Sequence, residues 1–337
     1  MDVVASVDDP LREQVLDLVV RHRTATGRPG LSEERVRVLD RAAGGPGTEP
    51  VFGVTARYAS RPALVGWAQV DGSGAGRTPT MESLILPEVG EVGTDAVVDR
   101  ALATFASTGD GPLRWWVGYA TDADDVRAAL RGFTPERDLI QLRCPLPLPV
   151  RAGAGTTPAV TTRAFRVGHD EDAWLAENNR AFADHPEQGH WDLETLLARE
   201  AEPWFDAEGF RILEVDGRIA GSCWTKAHRS TDPALGEIYV IGVDPDFHGR
   251  GWGRALTEDG FSWLAGQGLD HGMLYVDAAN VAAVALYASM GMTTHHVDRA
   301  YVTSSVARPD GRSASDPHST GRTTPSSRRP PGGRSSR

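Results

Sequence analysis

The sequence predicts an α/β chain in which one folding unit is present twice and a polar tail follows. Three observations carry this reading. A β-branched strand, a glycine-rich turn and a helical pattern run together from Ile238 to about Gly266. The order of elements in the second half is echoed in the first half. From Arg308 onward the chain is rich in Ser, Pro, Gly and Arg and almost free of apolar residues, so it cannot bury enough surface to fold.

The second half gives its elements in order. Arg211 to Val215, an Asp216-Gly217 turn and Ile219 to Lys226 read as a β-hairpin. Gly236 to Val243 is a third strand. Gly251 to about Gly266 is a helix with Leu256, Phe261 and Leu264 inward. Met273 to Val276 is a short buried strand. Asn280 caps a helix over Val281 to Met290, closed by Gly291. Thr293 to Val302 is the last strand.

The first half repeats this. Leu64 to Ala68 matches the second hairpin strand, and Ser83 to Pro87 matches Ile241 to Pro245. Ala128 to Phe133 matches Leu286 to Met292. Pro87 to Pro245 and Gly132 to Gly291 are nearly equal separations, which points to duplication. The Pro/Gly stretch Leu146 to Gly153 separates the copies. The expected domains are residues 1–147 and 154–306, with 307–337 as a disordered tail.

At 337 residues two domains are expected, and 40% hydrophobic with 24% charged residues describes an ordinary globular protein. No apolar run approaches the ~20 residues of a membrane helix. The acidic start, Met1 to Asp9, lacks the basic opening of a signal peptide. Cys144 and Cys223 make no disulfide framework, and no Cys/His cluster has zinc spacing. The expectation is a cytoplasmic, metal-free chain. Net charge is −11 although the tail is basic, so an acidic body argues against nucleic acid as the ligand.

The chemistry begins at His248-Gly249-Arg250-Gly251-Trp252-Gly253-Arg254. Strand, glycine turn and helix start present free backbone amides, and the helix dipole adds partial positive charge. A diphosphate is the ligand such a turn fits. A P-loop would need Gly-Lys-Ser/Thr, which is missing, and G-x-G-x-x-G fails in both frames. The remaining match is Gln/Arg-x-x-Gly-x-Gly/Ala, the acetyl-CoA loop of the GCN5-related N-acetyltransferases (GNAT), with His248 in the first position. The first copy has Glu91-Val92-Gly93-Thr94-Asp95 there. Its carboxylates would repel a pyrophosphate, so that domain is expected to serve as scaffold or substrate wall.

Two residues are candidate catalysts. Glu237 lies among apolar strand residues ahead of the loop, where a carboxylate can hold an amine or take its proton. An α-amino group titrates at about 7.7–8.0, so a modest base suffices. Tyr287 shares a helix face with Asn280 and could protonate a departing thiolate. The bland readings are a solvated strand glutamate and a core aromatic. His185 to Trp191 is a turn-rich segment with two His, an acid and a Trp, and it makes no metal site by itself.

Together these strings resemble one branch of the GNAT family. Ala183 to Trp191, Trp224-Thr225-Lys226, Leu235 to Val240 and Leu274 to Val284 are similar to mycothiol synthases, which carry two tandem acetyltransferase domains. The likeness spans Val3 to Val302 in organisation and is strong in the second half. It implies two mixed, mostly antiparallel sheets flanked by helices, and acetylation of the cysteinyl amine of cysteinyl-glucosaminyl-inositol by acetyl-CoA. It implies cofactor contacts at Ile241, Gly242, Val243, at His248, Gly249, Arg250, Gly251, Trp252, Gly253, Arg254, and at Asn280, Val281, Ala282, Ala283, Val284, Ala285. It implies substrate contacts at Glu34, Glu187, Lys226, Glu237 and Tyr275. The partner would be a small thiol-sugar met by a monomer, with no nucleic acid or membrane. Departures are His248 for Gln or Arg, Met292 for Phe, and the eroded first loop. The alternatives are a GNAT enzyme acting on another small amine or a peptide, and a non-catalytic acetyl-CoA sensor, which would need neither Glu237 nor Tyr287.

Overall fold

The computed structural model describes residues 1–4, 6–43, 51–60, 62–71, 78–108, 111–148, 160–183 and 189–306. The tail at 307–337 and most of the expected linker lie outside them. The first half contains β1 (Asp2–Val4), α1 (Asp9–Thr26), α2 (Glu33–Ala43), β2 (Val51–Arg57), β3 (Leu64–Asp71), β4 (Thr80–Ile85), α3 (Gly90–Thr108), β5 (Leu113–Val117), α4 (Asp122–Ala129) and β6 (Thr134–Pro145). The second half contains β7 (Thr162–Ala164), α5 (Glu171–Ala181), α6 (Leu193–Glu200), β8 (Phe210–Val215), β9 (Arg218–His228), β10 (Leu235–Val243), α7 (Trp252–Gly266), β11 (His271–Asp277), α8 (Val281–Ser289) and β12 (Thr293–Thr303). The order of elements is the same in both.

Local chemistry explains the second-half elements. Asp216 (φ 50°) and Gly217 (φ 77°) are both left-handed, as a two-residue hairpin turn requires. Helix α7 buries Ala255, Leu256, Phe261 and Leu264 on one face. Asn280 caps α8 by accepting the Ala283 N–H at 3.1 Å.

All strands form a single sheet in the order β1-β2-β3-β4-β5-β12-β6-β11-β10-β9-β8-β7. Neighbours β4–β5 and β10–β11 run parallel, and the other pairs are antiparallel. The centre of this order is an exchange. β6, the last strand of the first half, pairs with β11. β12, the last strand of the second half, pairs with β5. The two exchanged strands pair with each other between them. The cores follow suit. Tyr301 and Val306 pack into the first-half core, and Leu142, Cys144 and Leu146 into the second-half core. Tyr301 is fully buried, a gain of roughly 1.5–3 kcal/mol for the half it does not belong to in sequence. A further aromatic cluster, with Trp174, Phe210 and Trp224, sits under α5 and α6 on the other face.

Candidate active site

The loop after β10 is set by its own side chains. Asp244 is buried, accepts the Asp246 N–H at 2.9 Å and pairs with Arg180 and Arg218. Since a carbonyl only accepts, His248 Nε2–H donates to Val243 O at 2.8 Å. The imidazole therefore ties the loop back to its strand. Gly249 (φ 76°) and Gly251 (φ 78°) are left-handed, and a Cβ at Gly249 would meet nothing within 4 Å. Conformation rather than space demands glycine there. The N–H groups of Gly249 to Arg254 find no backbone acceptor among the described residues. Such a run of amides at the start of a 15-residue helix is an anion cradle. Arg250 lies over Phe247 and Trp252, each at 5.2 Å, and Arg254 bridges to Ser289 of α8.

The strand that leads to these amides parts from its parallel neighbour. β10 pairs with β11 only over Gly236 to Ile238, opposite Gly272 to Leu274. On its other side the register with β9 slips between Ile238 and Val240, a β-bulge at Tyr239. Beyond the bulge β10 and β11 part, leaving Ile241, Gly242 and Val243 half-buried on one side. Asn280, Val281, Ala282, Ala283, Val284 and Ala285, at the start of α8, are exposed or half-buried.

The first half is built differently at the matching place. Its β4 pairs with β3 without a bulge. Glu91 and Asp95 are held by Arg127, which also takes Asp124 at 2.5 Å. Arg131 takes Asp95 at 2.9 Å and Asp99 at 2.6 Å. The protein's own carboxylates and guanidinium groups thus occupy each other there. Glu82, beside the parallel pair, is tied to Ser32 Oγ at 2.7 Å and Arg35 Nε at 3.2 Å.

Glu237 is buried on β10, directly opposite Lys226 of β9. Its Oε2 lies 2.6 Å from His228 Nε2. Lys226 is buried, with its ammonium 4.2 Å from the Trp204 ring centre and 5.3 Å from that of Tyr239. Its ion-pair partner is Glu33 of α2, so the first half reaches into this cleft. The adjacent Glu34 instead pairs with Arg37 at 3.2 Å and Arg199 at 3.6 Å. Tyr275 accepts from Gln141 of the exchanged strand β6 at 2.7 Å. Burial raises its phenol pKa, as do the nearby charges of Asp298 and Glu237. Beyond it, His296 of β12 stacks at 3.6 Å on Tyr119, a first-half residue held at φ 55°. Tyr287 is buried in the apolar cluster with Leu256, Cys223 and Met290. Burial pushes its phenol upward, so it keeps its proton.

The structure thus gathers Lys226, Glu237 and Tyr275 around one cleft, while Glu34 stands on the α2–α6 side among arginines. Glu187 lies outside the described residues. Sequence reasoning missed His228, Glu33, Gln141 and His296. His228 had a signal: two residues beyond Lys226 on one strand face, it had to fall beside Glu237. Among the described residues no His/Cys/Asp/Glu group could hold a metal ion, and no helix is long and apolar enough to cross a membrane.

An amide cradle opening onto a splayed parallel pair is the architecture of an N-acetyltransferase of the GNAT class, enzymes that draw on acetyl-CoA. The model of the acetyltransferase (GNAT) family matches residues 172–292. A tandem GNAT protein from the clavulanic acid biosynthesis pathway shares the fold, with a TM-score of 0.60 and 17% identity over 90% of this chain and 98% of that one. The mycothiol acetyltransferase of Thermobispora bispora is 48% identical over 205 residues, 60% of this chain and 69% of the relative. That of Streptomyces griseus is 40% identical over 302 residues, 89% of this chain and 94% of the relative. The chain belongs to the mycothiol acetyltransferase family.

Proposed function

We propose that this enzyme acetylates the cysteinyl amine of cysteinyl-glucosaminyl-inositol, giving mycothiol and CoA, in the cytoplasm. The observation that carries the reading is the run of unpaired amides, Gly249 to Arg254, in the loop and helix start that follow the strand bearing Glu237. The bond from His248 Nε2 to Val243 O ties that loop to the end of the strand.

Acetyl-CoA supplies an activated acyl thioester. The amides of Gly249 to Arg254 hold the diphosphate, aided by Arg250 and Arg254. The strand edge at Ile241, Gly242 and Val243 and the α8 start from Asn280 to Ala285 line the path inward. Glu237 takes the proton of the acceptor amine, directly or through a water. Tyr287, still protonated, gives its proton to the departing thiolate. Lys226, Tyr275 and the α2 acids Glu33 and Glu34 form the acceptor wall. Glu187 is the remaining expected contact. The first half contributes the α2 acids to that wall and binds no acetyl-CoA of its own.

Incubation of the purified chain with acetyl-CoA and the cysteinyl sugar tests this. Mass spectrometry should show a product heavier by one acetyl group, carried on nitrogen. Acetylation of a peptide amine at equal or higher kcat/KM, with the sugar unreacted, would overturn the assignment of the acceptor.

A further inference from the structure

We propose that His228 is a positioning residue for Glu237, holding the carboxylate so that one oxygen faces the acceptor amine. The proposal rests on the reading of Glu237 as the group that takes the amine proton. β9 continues to His228, one pleat beyond Lys226, so both side chains stand on one face of the sheet. Lys226 is the direct cross-strand partner of Glu237, which makes His228 its diagonal neighbour. At 2.6 Å the Nε2–Oε2 bond is short, as bonds to a charged partner are. Oε1 has no hydrogen-bond partner among the described residues. One oxygen is committed to the imidazole and the other is left for the substrate.

The surroundings show why the carboxylate needs holding. Lys226 lies directly opposite on β9, with its ammonium drawn away onto Glu33 of α2 and the Trp204 ring. Tyr275 on β11 is near enough for Glu237's charge to act on its phenol, and Tyr239 follows on β10. A glutamate released from His228 could rotate onto Lys226 and point its oxygens along the sheet rather than at the amine. The imidazole fixes one rotamer against that competing cation. The His228 side chain is 20% exposed against 10% for Glu237, so the pair's imidazole end lies nearer the solvent.

The test is steady-state kinetics on the full chain with acetyl-CoA and cysteinyl-glucosaminyl-inositol. His228→Leu should lower kcat about 10- to 100-fold, the scale of a misplaced reacting group, with the KM for acetyl-CoA unchanged. His228→Gln can present an amide N–H near the Nε2 position and should recover most of the rate. His228→Asn, equally polar but too short to reach Oε2, should not. In a Glu237→Gln background His228→Leu should cost nothing further. Wild-type kcat in His228→Leu would overturn the proposal. So would equal rates in the Gln and Asn variants, or an undiminished loss in the Glu237→Gln background. A wild-type rate in Glu237→Gln alone would instead sink the reading of Glu237 itself.

Discussion

Burial decides what two side chains of the second half can do. Tyr287 sits in an apolar cluster that raises its phenol, so at neutral pH it keeps its proton, as the proposed role of donor to the thiolate requires. Tyr287→Phe should lower kcat roughly 100-fold with little change in acetyl-CoA affinity. A variant with normal kcat and a lower melting temperature would make it a core aromatic only. Glu177 on α5 is the converse case. Burial pushes its carboxyl up to about 8 from 4.5, the Ser222 hydroxyl opposes this, and the Asp244 charge adds to it. Its Oε1 has no partner, which suits the neutral acid. A group whose pKa is raised by folding binds more protons in the native state. The stability it contributes is full below 4.5 and is lost as pH rises through about 8. Glu177→Gln, neutral at every pH, should melt like wild type at about pH 4.5 and higher than wild type at about pH 9. Thermal melts across that range check this, and parallel curves for the two proteins would contradict it. Residue by residue, the burial of Glu237 was legible because a lone acid in an apolar strand stands out. Which of Glu33 and Glu34 meets Lys226 was not, because that choice depends on the rotation of α2 against the other half.

At the scale of elements, the glycine turn with its free amides was legible and the parting of β10 from β11 was not. Glycines at alternate positions between a strand and a helix announce left-handed turns and free amides. The bulge at Tyr239 depends on how many residues β9 sets opposite β10, which the sequence of β10 does not contain. Gly251→Asp should abolish acetyl-CoA binding. It places a carboxylate beside the pyrophosphate and a side chain at φ 78°, which costs roughly 1–2 kcal/mol. Equilibrium binding of acetyl-CoA checks it, and retained affinity would move the diphosphate site elsewhere. The first half shows the natural counterpart, with Glu91 and Asp95 satisfied by Arg127 at the start of its matching helix.

At the scale of the whole molecule, the duplication was legible and the strand exchange was not. β6 and β12 carry the same alternation whether each pairs within its own half or across, so periodicity cannot tell the two arrangements apart. The exchange makes each half depend on a strand of the other. Gln141 of β6 orients Tyr275, and Tyr301 of β12 fills the first-half core. With Glu33 on Lys226 as well, the proposed acceptor wall draws on both halves, whereas the run of free amides belongs to the second alone. That division of labour is the centre of the account, and titration calorimetry of the full chain with acetyl-CoA tests it most directly. The account predicts one binding site per chain, lost in Gly251→Asp. Two sites of similar affinity, or one that survives Gly251→Asp, would contradict it.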